Sequence, residues 1–92
     1  MYPWATNTIP ADYRDTLDAA SVLDIREVDF FRLAFKRWHG REAGDRVLEK
    51  AFAAYMFHQA VPPWVRHFSR EVLRRDRLGV LDLRALGIEP YK

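Results

Sequence analysis

The stretch Asp45-Arg46-Val47-Leu48-Glu49-Lys50-Ala51-Phe52-Ala53-Ala54-Tyr55-Met56-Phe57-His58-Gln59-Ala60 leaves almost no polar face when wound as a helix. At about 100° per residue its apolar side chains cover well over half the circumference. A helix apolar on most sides belongs at the centre of a bundle. The chain is therefore expected to be all-α: a small bundle of three to four main helices around residues 45–60, with an N-terminal arm and a short C-terminal helix.

Composition bounds the object that this helix would organise. Ninety-two residues suit one domain, near the lower end of what a single core stabilises without disulfides or metal. With 49% hydrophobic and 14% aromatic residues, the chain is too apolar to stay disordered. The absence of cysteine removes disulfides and thiolate chemistry and fits a reducing compartment, so a cytoplasmic location is expected. Met1-Tyr2-Pro3-Trp4-Ala5-Thr6 has neither a basic segment nor an apolar run of a secretory signal. The longest apolar run, Ala51 to Phe57, is far short of the ~20 residues that span a bilayer.

The formal charge of +2 conceals an asymmetry. Residues 1–30 carry six acids against two arginines, whereas residues 31–92 carry thirteen bases against seven acids. Folding back would let the two parts neutralise each other; an anionic partner is the alternative.

Around the central segment the local signals are mostly helical. In the first twenty residues, Pro10 suits a first helical turn, and Tyr13, Leu17 and Ala20 then share one face of a short helix. The preceding aromatic pair, Tyr2 and Trp4, is either a strap over the core or a peptide that a partner captures. Asp24-Ile25-Arg26-Glu27 has the form of a capping box, with Leu23 and Val28 at the staple positions. The following helix, through His39, carries a stripe of Val28, Phe31, Ala34, Phe35 and Trp38, with Gly40 as its terminator. Phe30 and Leu33 lie off that stripe and need cover, from the N-terminal segment or from another protein.

Arg41-Glu42-Ala43-Gly44 is a short turn between antiparallel neighbours, after which Asp45 is placed to cap the central helix. Pro62 and Pro63 end that helix near Ala60, and Pro63 can open the next. The helix over 63–78 turns Trp64, Val65, Phe68 and Val72 one way. Arg66, Arg70, Arg74 and Arg77 fall on the other side within an arc of about 80°. Glu71 is placed to pair with Arg74 or Arg75. In the tail, Asp82 and Gly87 bracket a short helix over 82–86, and Leu83 and Ile88 stand at the contact positions of a Schellman motif.

No catalytic, nucleotide-binding or metal-binding motif is visible, and neither cofactor nor metal is expected. His39, His58 and His67 have no ligand spacing, and His58 reads as a hydrogen-bonded core histidine beside Tyr55. Asp24, Asp45 and Asp82 are accounted for as caps, and Ser69 has no base facing it, because i and i+2 side chains on a helix diverge.

What remains is a surplus of rings and guanidinium groups, the residue types enriched at interfaces. The expected function is that of a small accessory or regulatory subunit that binds another protein or itself. Its expected contact residues are Tyr2, Trp4, Phe30, Leu33, Arg66, Arg70, Arg74 and Arg77. The alternative is a nucleic-acid-binding module that uses the four arginines.

Overall fold

A computed structural model describes residues 9–88. It is all-α: α1 (Ala11–Leu23), α2 (Glu27–His39), α3 (Asp45–His58) and α4 (Pro63–Leu78), followed by one 3-10 turn (Arg84–Leu86). There is no strand among the described residues. The expected arm with Tyr2 and Trp4 lies outside them.

The organising helix is α4, not the apolar 45–60 segment. Val65, Phe68 and Val72 are buried along one side of α4, as the sequence predicts, and α1 and α2 make the two most extensive helix pairs with it. On α3 only Leu48 and Tyr55 are buried, and Phe52 is half-buried. Met56 and Phe57, by contrast, are 50% and 80% exposed. The expectation of a wrapped central helix is thus overturned. Hydrophobicity alone ranked α3 first, but burial follows a continuous stripe, and the stripe that two neighbours share is on α4.

The first helix is longer than the short one expected, and it is a full member of the bundle. Its buried face is Thr16, Ala19, Ala20 and Leu23, with Tyr13 and Leu17 at its margins. Three of the four are small, and α1 packs extensively on α4. The buried hydroxyls of Thr16 and Ser69 meet there at 3.2 Å, while Thr16 also donates to Asp12 O and Ser69 to Val65 O. Two hydroxyl protons serve three contacts, so the protons must be shared among alternative arrangements.

Phe31 ties the helices together. Its ring meets Phe52 at 5.2 Å, Tyr55 at 4.9 Å and Trp64 at 5.7 Å. Trp38, expected on the same stripe, is 51% exposed at the end of α2.

The chain terminators divide into those read correctly and those misassigned. Gly40 and Gly87 are left-handed terminators as predicted, and Gly79 ends α4 in the same way. At Gly87 the Ile88 amide donates to Leu83 O and the Gly87 amide to Arg84 O, the Schellman pattern. The short helix is a 3-10 turn over Arg84–Leu86 instead of 82–86, and Asp82 accepts the Arg84 amide at 3.1 Å. Leu86 is buried and Leu83 and Ile88 pack on the core, so this part of the tail is docked.

The capping box is not formed. Asp24 takes a left-handed φ of 57° and closes α1, its amide donating to Ser21 O and that of Ile25 to Ala20 O. Arg26, extended, then precedes α2. Asp45 is the first residue of α3 and makes no side-chain cap, and α3 ends at His58 with left-handed Gln59, two residues before Ala60.

Candidate functional site

The eight expected contact residues separate once the helices pack. Tyr2 and Trp4 lie outside the described residues. Phe30 is fully buried, its ring 4.8 Å from that of Phe68, so it is a core residue and not the expected contact residue. Leu33 is half-buried against the docked tail, sharing a groove with Ile25, Leu86 and Ile88. The cover they needed comes from α4 and the C-terminal turn. The N-terminal segment is the candidate from the sequence; of it, α1 packs mainly on α4 and also on α2, its Ala19, Ala20 and Leu23 sharing the buried cluster with Phe30, while residues 1–8 lie outside the described ones.

The four arginines do share the outer side of α4, but not as equals. Asp12 of α1 meets Arg70 at 3.0 Å and Arg66 at 3.7 Å. Glu71 is held by Arg75 at 2.7 Å and by Arg37 of α2 at 3.0 Å; its expected alternative, Arg74, is not its partner. Arg74 and Arg77 are exposed, and among the described residues neither makes an ion pair. His67, Arg70, Glu71, Arg74 and Arg77 line a shallow groove of about 500 Å³.

Beside that groove lies an aromatic one of about 300 Å³, lined by Ala34, Arg37, Trp38, Trp64, His67, Phe68 and Glu71. His67 and Glu71 border both. The Trp38 ring stands edge-on to His67 at 5.6 Å. Trp38 matches the helical period of the buried stripe, so its place at the surface is not visible from periodicity. Its place in the last turn of α2 was the available signal, since a stripe often runs past the end of its partner there.

The second surface missed is on α3. Val28 and Arg32 of α2 face Asp45, Leu48, Glu49, Phe52, Ala53, Met56 and Phe57 of α3 across a groove of about 480 Å³. Its lining is mostly apolar, with Arg32, which also pairs with Asp29 at 3.2 Å, on the α2 side and Asp45 with Glu49 on the α3 side.

The expected core histidine is corrected. His58 is exposed, not a core histidine. The Tyr55 hydroxyl instead donates to Glu27 Oε2 at 2.6 Å. Burial, then this hydrogen bond and the carboxylate's charge, push the Tyr55 phenol well above the usual tyrosine range. His39 stacks on Phe35 at 4.1 Å. Among the described residues no group of three or more histidine, cysteine or acidic side chains is placed to hold a metal ion. Nor is any described helix long and apolar enough to cross a membrane. No known protein family, characterised protein or solved structure matches this chain.

Proposed function

We propose that this chain is a small interaction subunit that pairs with a second copy of itself through the groove between α2 and α3. The observation that carries this reading is the exposure of Phe57 and Met56 beside that groove, where a monomer gains nothing from presenting them to water. A two-fold contact must be self-complementary. A mostly apolar lining with Arg32 on the α2 side and Asp45 with Glu49 on the α3 side meets that condition: a copy turned through 180° brings Arg32 toward the partner copy's acidic side and its rings onto the apolar lining.

Sedimentation equilibrium over a concentration series tests it. The expected result is a reversible dimer that becomes monomeric in the double variant Met56→Asp, Phe57→Asp, with helical circular dichroism unchanged because neither side chain is in the core. A wild-type monomer at every concentration into the millimolar range overturns the proposal.

A further inference from the structure

On the outer side of α4 we propose a second site, independent of the α3 surface, that binds single-stranded nucleic acid: bases stack at Trp38 and His67, and phosphates lie along Arg70, Arg74 and Arg77. Three observations converge on it. The basic groove and the aromatic groove are contiguous, joined at His67 and Glu71. Trp38 is half exposed in the aromatic groove, with its ring edge-on to His67 at the junction. The acid between the grooves, Glu71, is already neutralised by Arg37 and Arg75, so it does not repel an incoming phosphate as a free carboxylate would.

Charge is graded along the row. Arg66 and Arg70 share Asp12, but Arg74 and Arg77, further along the helix, have no acidic partner among the described residues. From His67 to Arg77 the helix rises about 15 Å, enough for a short run of nucleotides.

The rings select the class of ligand. A duplex hides the faces of its bases and offers an exposed tryptophan nothing to stack on. A simple polyanion engages the guanidinium groups alone. A single strand uses both, since unstacked bases present π-faces to aromatic side chains while the backbone follows a basic groove.

The test is fluorescence anisotropy with a labelled oligothymidylate at low salt, competed with unlabelled blunt duplex and with heparin. The expected result is preference for the single strand and affinity that falls steeply with salt. Trp38→Ala should weaken binding by about tenfold and Trp38→Phe by much less, in line with the loss of one stacked base. Arg74→Glu with Arg77→Glu should abolish it. Thermal unfolding of each variant, unchanged from wild type, establishes that the fold is intact. No binding, or equal binding to duplex and single strand with no effect of Trp38→Ala, overturns the proposal.

Discussion

Tyr55 is the residue at which burial and chemistry are most tightly joined. Its ring lies fully inside, between Phe31, Phe52 and Tyr13, while its hydroxyl reaches the Glu27 carboxylate. The folded protein therefore holds the phenol neutral where the unfolded chain would ionise it, above about pH 10. A raised acid pKa in the native state means that the unfolded state loses its proton first, so stability is full below that pH and falls as pH rises beyond it. Urea unfolding across the alkaline range should show this decline, and Tyr55→Phe should flatten it. At neutral pH the same variant should lose about 1.5–3 kcal/mol, the usual worth of a hydrogen bond to a charged group. The sequence displayed Tyr55 as one more apolar position on a crowded helix. Its partner, twenty-eight residues earlier, was assigned instead to a cap.

At the scale of elements, the α1–α2 junction shows how one short motif serves two alternative ends. Asp24-Ile25-Arg26-Glu27 satisfies the spacing of a capping box, but Asp24 is also the residue that must close α1 once that helix runs on to Leu23. Aspartate tolerates the left-handed conformation better than most residues, and the Schellman bonds from Asp24 and Ile25 satisfy carbonyls that would otherwise be orphaned. The two assignments differ in sign under mutation. Asp24→Gly should stabilise the protein, by up to about 1 kcal/mol, because glycine carries no penalty at a φ of 57°. If Asp24 were an N-cap, the same change would cost a few tenths. Chemical denaturation of the variant reads the sign directly.

For the whole molecule, the placement of α4 under both α1 and α2 sets the order of local stability. Native-state hydrogen exchange should be slowest at the amides of α4 around Val65 to Val72 and of α2 around Phe30 to Phe35, and measurably faster through α3, which buries only Leu48 and Tyr55. Under dimerising conditions the protection of α3 should rise, with α4 unaffected. Exchange slowest in α3 in the monomer would contradict the packing order described above.

Helices and their ends were largely legible in the sequence. The span of α4, the proline at its start, the three glycine terminators, the Schellman close of the tail and the side of α4 that carries the arginines all follow from local rules, because each depends on residues within one or two turns. Tertiary structure decided which apolar surface is shared. Residues 45–60 are the most hydrophobic stretch, yet α3 lies at the periphery, and Phe30, off the expected stripe, is sealed against Phe68. The physical reason is that periodicity records what a helix can bury, whereas burial depends on which neighbours reach it. In this fold α1 packs extensively on α4, and that choice leaves Phe57, Met56 and Trp38 facing water.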